Sequence, residues 1–159
     1  MSKPKLNLFL SHDEIQQLVV QLRTQISKDY PESTDLLVVV TLKGAMFFAA
    51  DLVREITHPI IIDFVRLTSY GSGTKSSGQV RILKDLEIDP RGKHVLILDE
   101  IIDSGKSLHF LLNHFKDLGP KSLKLCTLLD KPSRREVKVP VDYIGQQVED
   151  KFLVGYGLD

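Results

Sequence analysis

His94-Val95-Leu96-Ile97-Leu98-Asp99-Glu100-Ile101-Ile102-Asp103-Ser104-Gly105-Lys106-Ser107-Leu108 is the run on which the reading of this chain turns. Val95 to Leu98 is apolar and short, the mark of a strand buried on both faces. Asp99 and Glu100 follow at once, then a tight series of small and polar residues from Asp103 to Ser107. Leu108, Leu111, Leu112 and Phe115 continue at helical spacing. The pattern predicts strand, loop and helix, with carboxylates at the strand's C-terminal end. An open α/β sheet holds its ligand at that end.

The loop's chemistry suggests an anion. Backbone N–H groups at a helix start lack intrahelical partners and, with the helix dipole, favour phosphate. Ser104 and Ser107 add hydroxyls, Lys106 adds a cation, and Gly105 lets the backbone come close. The upstream carboxylates would repel phosphate, so they suit something else. Vicinal sugar hydroxyls fit, as does a magnesium ion on the same ligand. The site therefore reads as one for a phosphorylated ribose. The plainer alternative is that Asp99, Glu100 and Asp103 cap the helix or face solvent.

Composition narrows the class. The 159 residues suit one domain with a real core. Twenty-one basic residues balance 21 acidic ones, which argues against a dedicated nucleic-acid binder. The single Cys126 sits in an apolar run, excludes an internal disulfide and points to a reducing, cytoplasmic setting. No stretch approaches the about 20 apolar residues of a membrane span, and no signal-peptide pattern opens the chain.

Along the chain, Ser11-His12-Asp13-Glu14 has capping-box spacing. Ile15, Leu18, Val19, Leu22 and Ile26 then predict an amphipathic helix ending near Tyr30-Pro31. Leu36 to Leu42 reads as a buried strand, and Met46 to Ile56 as a helix. Lys43-Gly44-Ala45 joins them, a plain turn unless something else speaks for it. A strand from Ile60 to Leu67 and its return from Val80 to Leu86 flank a Gly/Ser-rich stretch, Thr68 to Gln79. About a dozen residues without structure invite a functional reason, though a hairpin tip is the bland one. Strands are predicted over Ser122–Leu129 and Val141–Val148. His109 and His114 lie roughly 140° apart on their helix, which argues against a metal pair. Lys131, Arg134 and Arg135 alone read as a solvated basic turn, and Phe152 alone as core.

The run from Val95 to Ser107 closely resembles the phosphoribosyl diphosphate (PRPP) signature of the type I phosphoribosyltransferases. The purine members usually carry Glu-Asp or Asp-Asp where this chain has Asp99-Glu100. Three further stretches resemble the same family in order: Leu42-Lys43-Gly44-Ala45, Ser69-Tyr70-Gly71, and Asp150-Lys151-Phe152-Leu153-Val154-Gly155-Tyr156-Gly157-Leu158-Asp159. The resemblance implies an α/β fold, a mostly parallel twisted sheet flanked by helices. One domain over 1–159 is expected, with a core of about 36–130 and a small hood from the N-terminal arm and residues 131–159.

It also implies an activity: purine salvage, with transfer of a 5-phosphoribosyl group from PRPP to N9 of hypoxanthine or guanine, giving IMP or GMP and pyrophosphate. Asp99 and Glu100 would hold the ribose hydroxyls, Asp103 to Ser107 the 5′-phosphate, and Asp103 would exchange a proton with purine N7. Lys43, Gly44 and Arg135 would receive pyrophosphate, and Ser69 and Tyr70 would begin a lid. Lys131 would meet the purine 6-oxo group, Phe152 would stack on the base, and Leu153 would meet its edge. Mg2+ is the implied cofactor, on Asp99, Glu100 and Asp159. A dimer or tetramer is implied. Family members run further, adding a last strand and an arginine, so the C-terminus is expected to be short. Two alternatives stand beside this reading: a non-catalytic PRPP- or nucleotide-sensing regulator gripping nucleic acid through its basic residues, and a xanthine-preferring enzyme.

Overall fold

The computed structural model describes residues 2–32, 34–70 and 79–158, with Tyr70 described for its backbone only. In chain order the elements are α1 (His12–Asp29), β1 (Leu36–Leu42), α2 (Met46–Glu55), β2 (Ile61–Tyr70) and β3 (Gln79–Lys84). Then come β4 (His94–Ile102), α3 (Lys106–Lys116), β5 (Ser122–Asp130) and β6 (Tyr143–Gln147). A single turn of 3-10 helix, Pro132–Arg134, follows β5. The strands form one sheet in the order β3-β2-β1-β4-β5-β6. All neighbours are parallel except the antiparallel β2–β3 pair.

The apolar runs are explained by cover on both faces. Val38 and Val40 of β1 and Leu96 and Leu98 of β4 point into a core shared with α1 and α2. Leu37 and Val39, with Val95 and Ile97, point into the opposite core with α3. A strand covered on both sides has no polar face, so it reads as continuous rather than alternating hydrophobicity. Each fully buried side chain of this kind contributes about 1.5–3 kcal/mol of transfer free energy. Helix α1 starts where its capping box predicts. Ser11 Oγ accepts from the Glu14 amide at 3.1 Å, and Glu14 Oε2 accepts from the Ser11 amide at 2.9 Å. Its Leu18, Val19, Leu22 and Ile26 form the buried face.

Several boundaries differ from the sequence expectation, three of them near the site or at the sheet edge. The central strand does not end at Leu98. It continues to Ile102, because Asp99, Ile101 and Ile102 keep ladder partners in Thr127, Leu129 and Asp130 of β5. The loop expected from Thr68 begins later, since Thr68, Ser69 and Tyr70 pair with Arg81, Val80 and Gln79. Thr and Tyr are strand-favouring residues, and the pairing uses that preference. The remaining loop residues, 71–78, lie outside the described residues. Strand β6 is shorter than Val141–Val148. Asp142 caps it instead, its Oδ2 accepting from the Leu125 amide at 2.9 Å.

One buried acid holds the hairpin to the sheet. Asp63 is 4% exposed and accepts from the amides of Phe64, Glu87 and Ile88 at 2.7–2.9 Å, with the Lys84 ammonium 3.8 Å away. A buried carboxylate is tolerable only when so satisfied. No helix among the described residues is long and apolar enough to cross a membrane.

Candidate active site

Strand order places the site. Chain progression runs from β1 toward β2 on one side and from β4 toward β5 on the other. The switch therefore falls between β1 and β4, and a crevice opens at the carboxyl ends of such a pair. A cleft of about 240 Å³ lies there. Gly44 from the β1–α2 turn lines it, with Asp99 and Glu100 from β4 and Asp103, Ser104, Gly105 and Ser107 from the following loop.

The carboxylates are held in place by backbone and a hydroxyl. Thr41 Oγ1 donates to Asp99 Oδ1 at 2.8 Å and approaches the Leu98 carbonyl at 3.1 Å. The Glu100 amide donates to the same Asp99 oxygen at 3.0 Å. Thr41 was not singled out from sequence, although a lone hydroxyl at the end of an apolar strand beside Lys43-Gly44 was a usable signal. Glu100 reaches across to the β1–α2 turn. A methyl group on Gly44 would sit 2.1 Å from Glu100 Oε1, so only glycine leaves room for this carboxylate.

The loop that follows enters α3 through a glycine. Gly105 occupies the N-cap at φ +83°, a left-handed conformation costly for other residues, and no side chain caps the helix. The Lys106 amide donates to Ser104 Oγ at 3.3 Å, and the N-cap glycine offers the first turn no side-chain acceptor. The loop is braced from below. Glu136 and Val137 amides donate to the Ser104 carbonyl at 2.9 and 3.2 Å. Arg135 Nη1 donates to the Asp103 carbonyl at 2.9 Å, and its other terminal nitrogen pairs with the buried Asp130.

Several expected site residues sit elsewhere. Arg135 does not line the cleft; its guanidinium is committed to Asp103 and Asp130. The Lys106 ammonium turns away to Glu136 Oε2 at 2.6 Å, and that bond holds the Glu136 carboxyl below its ordinary pKa. Lys43 is exposed at the turn. Ser69, next to last in β2, is exposed, and Tyr70's side chain and Asp159 lie outside the description.

Lys131 lies beside the Asp103 loop. It is 7% exposed, and its ammonium lies 3.6 Å from Asp103 Oδ1 and 3.9 Å from Asp150 Oδ1. Phe152, 84% exposed, and Leu153 line a second groove of about 650 Å³ together with the N-terminal arm. That groove runs between the N-terminal arm and the C-terminal segment, with Lys151 over the Phe9 ring at 5.6 Å.

A glycine-led helix start beside paired carboxylates at a sheet switch point points to a class, and comparison with known proteins gives it. The phosphoribosyl transferase domain matches residues 9–159, and the chain belongs to that family. Within it, the chain is 44% identical to the hypoxanthine phosphoribosyltransferase of Haemophilus influenzae, covering 100% of this chain and 90% of that protein. It is 43% identical to the hypoxanthine-guanine phosphoribosyltransferase of Aquifex aeolicus, over 98% of this chain and 87% of that one. The crystal structure of a hypoxanthine-guanine phosphoribosyltransferase from Bacillus anthracis superposes with a TM-score of 0.91 at 45% identity, covering 97% of this chain and 90% of the other.

Proposed function

We propose that this protein is a purine-salvage enzyme that transfers the 5-phosphoribosyl group of PRPP to N9 of hypoxanthine or guanine, forming IMP or GMP and pyrophosphate. The observation that carries the reading is the Asp103–Lys131 pair, 3.6 Å apart at the edge of the cradle. An oxopurine presents N7 and O6 side by side on one edge. A carboxyl that exchanges a proton at N7 and an ammonium that donates to O6 must therefore be neighbours. Adenine offers an amino group at that position, which would face a donor-only ammonium.

In this reading the bond from C1 of the ribose to pyrophosphate breaks as the bond to N9 forms. Asp99 and Glu100 hold the ribose hydroxyls and offset the positive charge that develops on the sugar. The amides and hydroxyls of Ser104, Gly105, Lys106 and Ser107 receive the 5′-phosphate, and the Lys43-Gly44 turn receives the diphosphate. The open ring of Phe152 is available to stack on the base.

The donor set fits magnesium carried in with the substrate. Asp99 and Glu100 offer hard carboxylate oxygens, and magnesium commonly takes only one or two of these beside substrate phosphates. Among the described residues no three His, Cys, Asp or Glu side chains converge as a metal site of their own. When bound, the ion supplies charge neutralisation at the diphosphate. A cytoplasmic setting belongs to the same proposal, supported by the lone, buried Cys126. So does association of copies, supported by exposed Met46, Phe47, Ile62 and Phe64.

The deciding experiment follows ultraviolet absorbance after adding PRPP and magnesium to hypoxanthine, guanine, xanthine and adenine in parallel. Turnover of hypoxanthine or guanine, and none of adenine, is the expected result. Turnover of xanthine alone, or of no base with salt-sensitive RNA binding, would sink it. A companion variant, Gly44→Ala, is expected to fold, because the atom its methyl meets is the mobile end of Glu100. Displacing that carboxylate by an ångström should lower kcat/KM for PRPP by up to about 10²-fold. Unchanged kinetics would show that Glu100 does not act from this position.

A further inference from the structure

The C-terminal segment ends in a tight turn whose purpose is not obvious from its own contacts. Gly155 and Leu158 exchange two backbone hydrogen bonds at 3.0 and 2.9 Å. Between them Tyr156 is held at φ +55°, a conformation bulky residues rarely adopt. Such strain persists only when surrounding contacts enforce it. Here they do. The Tyr156 hydroxyl donates a short hydrogen bond to Asp51 of α2, and its ring stacks on Phe47 at 6.3 Å between centroids. Gln16 of α1 donates to the same Asp51 oxygen at 3.3 Å, and Arg54 pairs with the other one. Burial pushes the Asp51 carboxyl up, but these donors outweigh it and leave its pKa below the ordinary value.

The residue after Tyr156 touches the active site. Gly157 packs so closely on the β1–α2 turn that a methyl group there would lie 2.1 Å from the Gly44 carbonyl oxygen. Gly44 in turn abuts the Glu100 carboxylate. A continuous path of contact thus runs from Asp51 through Tyr156, Gly157 and Gly44 to Glu100.

We propose that Tyr156 is a positioning residue for the diphosphate end of the substrate: anchored on Asp51 and Phe47, it wedges Gly157 against the Lys43-Gly44 turn and so sets that turn and Glu100. The assignment of the diphosphate to this turn rests on the function proposed above; the wedge itself does not. None of the wedge residues needs to touch substrate.

Tyr156→Phe removes the hydroxyl and keeps the ring. It should raise KM for PRPP about tenfold, the effect of one lost charge-assisted hydrogen bond, and leave KM for the purine unchanged. Asp51→Ala should do the same, and the double variant should be no worse than either single one, because both cut the same link. Asp51→Asn retains an acceptor oxygen and should stay near the unmodified protein. Hydrogen–deuterium exchange over residues 42–46, measured without substrate, should quicken in Tyr156→Phe and Asp51→Ala only. Unchanged exchange over 42–46 would overturn the wedge. Equal rises in both KM values that track a lowered Tm would overturn the positioning role. Absence of turnover by the unmodified protein would count against the proposed function instead, while the exchange measurement still decides the wedge.

Discussion

Asp103→Asn should fold normally and lower kcat for transfer to hypoxanthine by about 10²–10⁴-fold, the range for loss of a general acid–base group. Asparagine matches aspartate in shape but cannot take or give the proton at purine N7. The loop's bracing does not depend on the carboxylate, because Arg135 bonds to the Asp103 carbonyl. The side chain is half exposed, and the buried Lys131 ammonium keeps Asp150 at 3.9 Å when Asp103 is neutralised. KM for PRPP should therefore move little, since the helix-start amides stay where they are. Steady-state absorbance kinetics separate the two parameters. A kcat within tenfold of the unmodified protein would remove Asp103 from the chemistry.

Lys131→Met should cost on the order of 10³ in kcat/KM for hypoxanthine, the scale set by a site built around one specific donor. Methionine follows the path of the lysine stem and suits its buried surroundings. The carboxylates left behind, Asp103 and Asp150, are half exposed. Stability should thus change little, since the carboxylates that lose Lys131 are half exposed rather than left as buried unpaired charges. The preference for hypoxanthine over adenine should collapse together with the activity. Measuring both bases in the variant provides the check. A preserved preference would place base recognition elsewhere, in the backbone of the 152–154 segment for instance.

Much of this molecule was legible in its residues, and the reason is locality. The capping box, the apolar runs of β1 and β4 and the glycine at the start of α3 each encode their geometry within a few neighbours. The strand–acid–loop–helix run located the cleft for the same reason: sheet architecture puts ligands at strand ends whatever the surroundings.

What lay hidden was decided by register and by competition among charges. Thr41 clasps Asp99, 58 residues away, only because β1 and β4 align in parallel so that Val40 sits beside Leu98. Lys106 and Arg135 both looked like anion ligands, yet one turned to Glu136 and the other to Asp130. Residue type announces that a cation needs a partner; it cannot say which carboxylate stands nearer. Likewise the continuation of β4 through Asp99 and Glu100 followed from ladder partners in β5 that no local pattern reveals. The chain's local chemistry thus specified the elements and the kind of site, while tertiary packing chose the partners. A pairing energy depends on distance and desolvation, and both exist only once the chain has folded.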